Sequence, residues 1–280
     1  MIAALVIGVV ILVWRLSSGA PAGIGDRSEF TRNSCLASGS GHQTVFVDAG
    51  HGGLDSGTHG TLSSGATITE KTAALATALK VRDLLVEDGY RVVLSRTTDG
   101  TVADIPSSEI TGTTYTAAGD HRDIRARVDC ANASGAAVMV SIHFNAFDDP
   151  SIGGVTTYYD RDRSFAARNK RLARAVQDGI LSSFADAGLT AIPDRGIVPD
   201  DQGAGGAISR EAQAYGHLYL LGPFKRGFND EPSRMPGVLT EPLFLSDPPE
   251  AALAASPHGR VLVARGIVTG VERYLRSDSR

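Results

Sequence analysis

Two histidines, His51 and His143, each stand directly after a short apolar run that is rich in β-branched residues. Runs of this length and composition predict buried strands of a sheet. In an open α/β sheet, groups just beyond the carboxyl ends of parallel strands converge on one crevice, whatever their separation along the chain. The two imidazoles are therefore predicted to share a crevice, which limits the topologies open to this chain.

Strand-like and helix-like patterns alternate along the rest of the chain. This alternation predicts an α/β fold, with a mainly parallel, mixed and twisted sheet of about six strands and helices on both faces. A length of 280 residues with 42% hydrophobic content suffices for one large core, so one folded domain is expected over 44–276. Strands are predicted at 44–48, 90–96, 137–142, 154–159, 217–221 and 238–241, and helices from 69 to 88 and at 122–132, 165–184, 248–255 and 257–275.

The first part of the chain differs from the rest. Ile2–Trp14 carries no charge, and a helix over it would be roughly 20 Å long against the ~30 Å hydrocarbon core of a bilayer. Residues 20–22 have the A-x-A form of a cleavage site. Residues 1–22 are therefore predicted to be a signal peptide or an N-terminal membrane anchor, with a buried N-terminal helix as the alternative. The Ser-, Gly- and Ala-rich residues 23–43 are predicted to be a linker.

The chain has two cysteines, Cys35 and Cys130. In an exported protein a disulfide between them is favoured, and the long loop that it closes would contribute roughly 4–5 kcal/mol in the chain-entropy treatment. Two unpaired buried thiols are the alternative. Metal binding by either cysteine is not favoured, because neither has a Cys or His close by in sequence.

Carboxylates stand at two further element ends that are predicted to face the crevice. Glu70 begins the first long helix, and Glu241 ends the last predicted strand. Two histidines and one glutamate are a recurrent ligand set for catalytic zinc, so His51, Glu70 and His143 are predicted to bind Zn²⁺. A purely structural role is the alternative for each of these residues. Glu70 would then interact with the helix dipole, and each histidine would be a hydrogen-bonded residue at the end of a strand.

Two more acidic side chains have predicted roles around this ligand set. Asp55 is expected to accept the second ring N–H of His51, which is the usual outer arrangement for a zinc-bound imidazole. Partial burial would raise the pKa of Glu241, which suits a group that takes up a proton and later returns it. A salt bridge is the alternative for Glu241. Among the other histidines, His59 and His217 are expected to come nearest to the crevice.

Four segments in order resemble the zinc-dependent N-acetylmuramoyl-L-alanine amidases of the Amidase_3 type. They are VDAGHGGLDSG at 47–57 with Glu70 after it, RVDCAN at 127–132, VSIHFNA at 140–146 and MPGVLTEPLFLSD at 235–247. The resemblance covers roughly residues 44 to 276. This chain departs from the family at Pro242-Leu243, where two small residues are usual. The stretches 99–121 and 199–234 are also longer than in a minimal member, and either is able to cover the crevice.

The resemblance implies zinc-dependent hydrolysis of the amide between N-acetylmuramic acid and L-alanine in peptidoglycan during cell-wall remodelling, with Glu241 as the catalytic base. The alternatives are a zinc peptidase that cuts within the stem peptide and a noncatalytic wall-binding homologue. Peptidoglycan is the expected partner. The protein is expected to be a monomer that is exported to the cell envelope or out of the cell, and its N-terminus is able to contact the membrane. A net charge of −4 without a basic cluster gives no support to a nucleic-acid partner.

Overall fold

The computed structural model of the chain describes residues 22–23, 30–202 and 214–278. The predicted signal peptide or anchor at 1–22 lies almost wholly outside these described residues, and so does part of the stretch 199–234. Within the described part of the chain, no helix combines the length and the apolar character needed to cross a bilayer.

Eight strands form one sheet and four short strands form two small hairpins among the described residues. The strands are β1 (Ala22–Gly23), β2 (Ser34–Ser38), β3 (Thr44–Ala49), β4 (His59–Thr61), β5 (Thr67–Thr69), β6 (Arg91–Arg96), β7 (Ile110–Thr111), β8 (Thr114–Tyr115), β9 (Val138–Ile142), β10 (Val155–Tyr159), β11 (Asp194–Pro199) and β12 (Gly237–Glu241). The sheet order is β1-β2-β6-β3-β9-β12-β10-β11, and β4 pairs with β5 and β7 with β8.

The centre of the sheet consists of four neighbouring parallel strands, β6, β3, β9 and β12. Their apolar residues are buried on both faces, as is usual for parallel strands that helices cover. Ala49 pairs with Ile142, and Ile142 pairs with Thr240, so three strands end side by side. We call this side of the sheet, where β3, β9 and β12 end, the carboxyl edge. The residues that follow these three strands are brought together there.

Strands β2, β10 and β11 run in the direction opposite to these four. Strand β2 pairs antiparallel with β6, and β10 pairs antiparallel with β12 while β11 runs parallel to β10. Strands β10 and β11 therefore end at the opposite side, which we call the amino edge. The sheet is mixed and mainly parallel, as predicted, but it has more strands than expected.

Helices cover both faces of the sheet. They are α1 (Glu70–Glu87), α2 (Ala117–Ser134), α3 (Ala166–Asp186), α4 (Pro248–Ala255) and α5 (Pro257–Asp278). The period-2 alternation of β3 divides the core, because Val45 and Val47 pack on the face of α1, α3 and α5, whereas Phe46 packs on the face of α2. The predicted layer arrangement is confirmed.

The sequence predicts a linker over 23–43, but Ser34–Ser38 forms strand β2 in the sheet. Leu36 and its small neighbours are buried there. The small and polar composition of this segment is typical of a loop, but its backbone pairs with β6. Cys35 and Cys130 are joined by a disulfide with 5.6 Å between their Cα atoms. The predicted disulfide is confirmed, and it attaches β2 to α2.

Three other elements differ from their predictions. Residues 217–221, predicted as a strand, form turns, whereas residues 194–199, for which no strand was predicted, form the half-exposed strand β11. The apolar side chains of 217–221 cover one sheet face instead of joining its edge: Leu220 and Leu221 lie in the core beside α2. Helix α2 starts at Ala117 rather than at 122, because Thr116 caps it by accepting a hydrogen bond from the backbone N–H of Gly119.

Candidate metal centre

The turn after β3 presents His51 at the carboxyl edge. Its backbone has a left-handed conformation, with φ of 59°. Two buried arginines hold this turn: Arg127 donates to the backbone carbonyls of Ala49 and His51, and Arg96 donates to those of Ala49 and Gly50. The carbonyls of an irregular turn would otherwise be buried without partners. The two guanidinium groups therefore fix the position from which the His51 ring projects.

The ring of His51 is oriented by Asp55. Its Nδ1 lies 2.6 Å from Oδ2 of Asp55, and Oδ1 of the same carboxylate accepts a hydrogen bond from the N–H of Gly57. A carboxylate accepts but does not donate, so Nδ1 of the neutral imidazole carries the proton. The lone pair of Nε2 is then free to bind a cation.

Glu70, the first residue of α1, meets both histidines. Its Oε1 lies 3.0 Å from Nε2 of His51 and 2.9 Å from Nδ1 of His143, and these two nitrogens are 3.2 Å apart. Backbone N–H groups of Thr58 and Phe144 donate to its two oxygens, which holds the carboxylate in place. Three ligand-type atoms from β3, α1 and β9 therefore surround one point.

The space around these side chains is tight enough to require glycine. A Cβ atom on Gly50 would lie 2.5 Å from the ring of His143. A Cβ atom on Gly57, whose φ is +60°, would lie 2.5 Å from Oε2 of Glu70. The glycines of the 50–57 segment thus allow the backbone to approach the ligand side chains closely.

The electrostatic field at this point favours positive charge. Burial lowers the pKa of His51, but the carboxylates of Glu70 and Asp55 outweigh it and raise that pKa to about 10. Burial raises the pKa of Glu70, yet the imidazoles of His51 and His143 hold it well below its usual range. The centre therefore stabilises a cation between the two rings and the carboxylate.

The donor set fits a zinc ion. Two imidazole nitrogens and one carboxylate oxygen, 2.9–3.2 Å from one another, are close enough for one ion to reach each at its usual ~2.0–2.2 Å. The His51 and His143 side chains remain 22% and 20% exposed, which leaves the centre open towards solvent among the described residues. Three protein ligands with an accessible fourth position are typical of catalytic rather than structural zinc sites.

Glu241, the last residue of β12, lies beside this centre. Its Oε2 accepts hydrogen bonds from the side-chain amide of Asn145 and from the hydroxyl of Tyr158, the latter at 3.2 Å. Burial, together with the like charge of Glu70, raises the pKa of Glu241 to about 8. The environment therefore makes this carboxylate an effective acceptor of a proton.

The structure brings the predicted residues His51, Asp55, Glu70, His143 and Glu241 together at the carboxyl edge. It does not bring His217 there, because His217 contacts Asp160 at the amino edge. The backbone of His59 pairs with Thr69, the residue before Glu70, but its side chain is exposed.

Sequence reasoning missed four residues that support the centre, namely Arg96, Arg127, Asn145 and Tyr158. Arg127 and Asn145 stand in the segments that resemble the family, so their positions were visible but not their contacts. The role of Tyr158 depends on the antiparallel register of β10 against β12, for which the sequence has no signal.

The stretch 99–121 was expected to be able to roof the crevice. Instead it contacts the outside of the His51 turn: Asp99 accepts from the N–H of Gly53 and from Lys71, and the N–H of Leu54 donates to the hydroxyl of Tyr115. These contacts brace the turn and leave the two rings accessible.

The sequence resembles known amidases. The family model for N-acetylmuramoyl-L-alanine amidase matches residues 45–273. The germination-specific N-acetylmuramoyl-L-alanine amidase of Bacillus subtilis is 28% identical over 82% of this chain and 78% of its own length. The amidase AmiC of Neisseria meningitidis is 27% identical over 84% of this chain, which spans about half (53%) of that longer protein.

Solved structures give the same picture. An N-acetylmuramoyl-L-alanine amidase from Clostridium difficile 630 superposes with a TM-score of 0.58 at 30% identity, covering 85% of this chain and 99% of that one. The CwlD amidase of Clostridioides difficile, solved in complex with the GerS lipoprotein, has a TM-score of 0.63 at 26% identity over 85% of this chain and all of that one. With the family model matching most of its length, the chain belongs to the N-acetylmuramoyl-L-alanine amidase family.

Proposed function

We propose that this chain is a zinc-dependent enzyme that hydrolyses the amide bond between N-acetylmuramic acid and L-alanine in peptidoglycan. The observation that carries the proposal is the convergence of His51, Glu70 and His143 within 3.2 Å of one another, next to the half-buried carboxylate of Glu241. Family membership supports the substrate, because the amide of N-acetylmuramoyl-L-alanine is the bond for which the family is described.

His51, through Nε2, Glu70, through Oε1, and His143, through Nδ1, are the proposed zinc ligands. Bound zinc lowers the pKa of a coordinated water to about 7 in favourable sites and polarises a carbonyl group. Asp55 keeps the proton on Nδ1 of His51, so that Nε2 is available as a ligand. No nucleophilic side chain is required for this chemistry.

Glu241 is the proposed general base. It takes a proton from the attacking water as the water oxygen bonds to the scissile carbonyl carbon, and the same carboxyl later gives that proton to the departing amine nitrogen of L-alanine. The C–N bond breaks, leaving a carboxylic acid on the sugar side and a free amine on the peptide. The hydrogen bonds from Asn145 and Tyr158 hold the carboxylate in one orientation during both transfers.

Two exposed apolar side chains flank the centre and are suited to contact the substrate. Leu54, in the turn after His51, is 41% exposed, and Phe147, in the loop after His143, is 53% exposed. We propose that they border the groove in which the glycan strand or stem peptide lies.

We propose that the catalytic domain extends over 44–276 together with β2, and that the protein acts after export, in the cell envelope or outside the cell. Its substrate is a wall polymer, and the Cys35–Cys130 disulfide is typical of oxidising compartments. Residues 1–22 would supply the export signal or a membrane anchor. A monomer suffices for the mechanism, because one chain supplies all the proposed ligands and the base.

The experiment that tests the mechanism is the substitution Glu241→Gln. The amide keeps the size of the side chain but cannot take up the proton, so we expect turnover on purified peptidoglycan to fall by at least about 100-fold. Zinc content should stay at the wild-type level in elemental analysis. A Glu241→Gln enzyme with wild-type turnover would exclude the proposed base.

The bond that is cleaved is tested by mass analysis of the digest. An amidase releases intact stem peptides with a free L-alanine amine and leaves sugar strands without peptide. A stem-peptide peptidase instead yields shortened stems that are still attached to sugar, and a noncatalytic wall-binding protein yields neither. The His143→Ala variant, which lacks one proposed ligand, is the control for contaminating activity.

A further inference from the structure

A second group of ligand-type side chains lies at the amino edge of the sheet, on the side opposite the metal centre. Asp160 directly follows β10, Asp200 directly follows β11, and His217 comes from the segment after residue 213. The N–H of Asp200 donates to the carbonyl of Tyr159, so the ends of the two parallel strands are in register. We call these three residues the Asp-Asp-His cluster.

The three side chains converge as the ligands of the metal centre do. Nδ1 of His217 lies 3.1 Å from Oδ2 of Asp160 and 3.4 Å from Oδ2 of Asp200, and one ligand atom from each residue lies within 4.8 Å of the others. Backbone N–H groups orient both carboxylates: Asp162 donates to Asp160, and Leu218 donates to Asp200. The cluster is thus held by strand ends and backbone contacts.

Burial makes this cluster different from an ordinary acidic surface. The side chains of Asp160 and Asp200 are both 0% exposed, and that of His217 is 14% exposed. Oδ2 of Asp160 is buried and accepts no hydrogen bond among the described residues, although it points at the ring of His217. A buried carboxylate oxygen without a hydrogen bond is costly unless a cation lies beside it.

Nearby arginines form no ion pair with these two carboxylates, although Arg163 is close enough to lower the pKa of Asp160 through its charge. Arg163 uses its guanidinium for the carbonyls of Leu221, Gly222 and Ser233. Arg161 pairs with Asp201. Among the described residues, no lysine or arginine forms an ion pair with Asp160 or Asp200.

We propose that the Asp-Asp-His cluster is a second metal site, which binds one divalent transition-metal ion such as Zn²⁺ through Asp160, Asp200 and His217. The mixture of carboxylate and imidazole donors suits zinc. Calcium is disfavoured, since it takes about 6–8 oxygen ligands and the cluster offers an imidazole and two carboxylates. The site joins β10, β11 and the segment around His217, so its role is to fix that segment to the amino edge.

Metal stoichiometry tests the proposal on the full chain. Each protein is incubated with excess Zn²⁺ and passed through a desalting column, and its zinc is then measured by elemental analysis. We expect two equivalents in the wild type, one in His143→Ala and one in Asp200→Asn. The matched control is Asp201→Asn, the adjacent acid outside the cluster, which should keep two.

Two outcomes would overturn the proposal: a single equivalent in the wild type that is lost in His143→Ala, or two equivalents retained in Asp200→Asn. If the metal centre itself held no zinc, the wild type would contain one equivalent that survives in His143→Ala and is lost in Asp200→Asn. That result would support the second site and count against the proposed function, so the two proposals fail separately.

Thermal stability supplies an independent measurement if Asp200→Asn folds poorly. In the His143→Ala background, where only the second site is proposed to be intact, added Zn²⁺ should raise Tm by several degrees and a chelator should reverse the rise. The His143→Ala/His217→Ala double variant should show no such shift. Equal shifts in both proteins would refute the assignment of the ligands.

Discussion

At the scale of single residues, the proposed metal site depends on which nitrogen of each ring faces the point where the three side chains meet. His51 presents Nε2 because Asp55 binds its Nδ1, whereas His143 presents Nδ1. The two rings meet nearly edge to face, with centroids 4.8 Å apart. The choice of nitrogen on His51 therefore rests on one carboxylate that does not itself touch the metal position.

Substitution Asp55→Asn tests this dependence. The Asn amide would place either an N–H or a carbonyl oxygen opposite Nδ1, and in the first case the tautomer of His51 would reverse. We expect zinc affinity to fall by roughly 10–100-fold. Competition with a chromophoric chelator measures the affinity, and His59→Ala, which removes an exposed histidine outside the centre, should leave it unchanged. Wild-type affinity in Asp55→Asn would contradict the role of Asp55.

The chemistry-bearing residues were predictable because they stand at element ends. Strand and helix patterns locate such ends without knowledge of the tertiary structure, which is why His51, Glu70, His143 and Glu241 could be selected. Asn145 and Tyr158 could not, because their contact with Glu241 arises only from the pairing of neighbouring strands.

At the scale of elements, helix α2 and strand β3 are joined by a buried ion network. Arg127 of α2 pairs with Asp48 of β3 and with Asp123 one turn earlier on its own helix, and it also binds two backbone carbonyls of the His51 turn. Its side chain is 3% exposed. The helix therefore acts on the metal centre through the backbone that carries His51.

Replacement of Arg127 by Met should be strongly destabilising. It leaves two carboxylates buried without their partner, and we expect the free energy of unfolding to fall by about 3–5 kcal/mol. Urea denaturation at pH 7 measures the change. The control is Arg125→Met on the same helix, whose ion pairs are long and exposed and should contribute less than about 1 kcal/mol. Similar losses in the two variants would argue against the network.

Helix α4 carries a carboxylate whose ionisation opposes folding. Burial raises the pKa of Glu250 from 4.5 to about 6, with a smaller contribution from Asp247. A carboxyl that binds its proton more tightly in the folded state stabilises the fold fully below its unfolded pKa. This stabilisation is lost as pH rises through the folded pKa.

The variant Glu250→Gln separates this effect from the other titrating groups. The stability of the variant relative to the wild type should therefore increase as the pH rises from 4.5 to 7.5, by up to about 2 kcal/mol. Urea denaturation at the two pH values provides the comparison. The amide oxygen can still accept the hydrogen bond from the N–H of Phe244. A difference that does not vary with pH would contradict the raised pKa.

The elements that the sequence predicted well have continuous apolar runs or helical periodicity. Strand β11 lacks both, since it is half exposed and contains Gly196, and it was missed. The apolar residues 217–221 predict a strand, although tertiary packing uses them as a cover over the sheet. A short apolar run in the sequence does not show whether the segment joins the sheet as a strand or packs on its face without strand structure.

At the scale of the whole molecule, one covalent bond joins distant parts of the chain. The Cys35–Cys130 disulfide has a sequence separation of 95 residues and ties β2, on one side of the sheet, to α2 on its face. The loop between the two cysteines contains His51 and Glu70. The disulfide therefore restrains, in the unfolded chain, a large part of the sequence that forms the metal centre.

Removal of the disulfide in the Cys35→Ser/Cys130→Ser variant should lower the unfolding free energy by about 2–5 kcal/mol. Because the loop is long, the chain-entropy treatment places the value near the upper end. Tm and urea denaturation measure the change, and a reductant should lower the stability of the wild type but not of the double variant. Equal stability of the wild type with and without reductant would show that the bond does not contribute.

The pairing of Ala49, Ile142 and Thr240 across three parallel strands has a consequence for how such a protein can vary. A deletion of one residue inside β3, β9 or β12 would turn every later side chain of that strand to the other face, and it would displace His51, His143 or Glu241 by about 3.3 Å. Insertions beyond the strand ends alter the surroundings of the crevice but leave this spacing intact. The loops that surround the crevice can therefore change in length during evolution, whereas the lengths of β3, β9 and β12 have to be conserved.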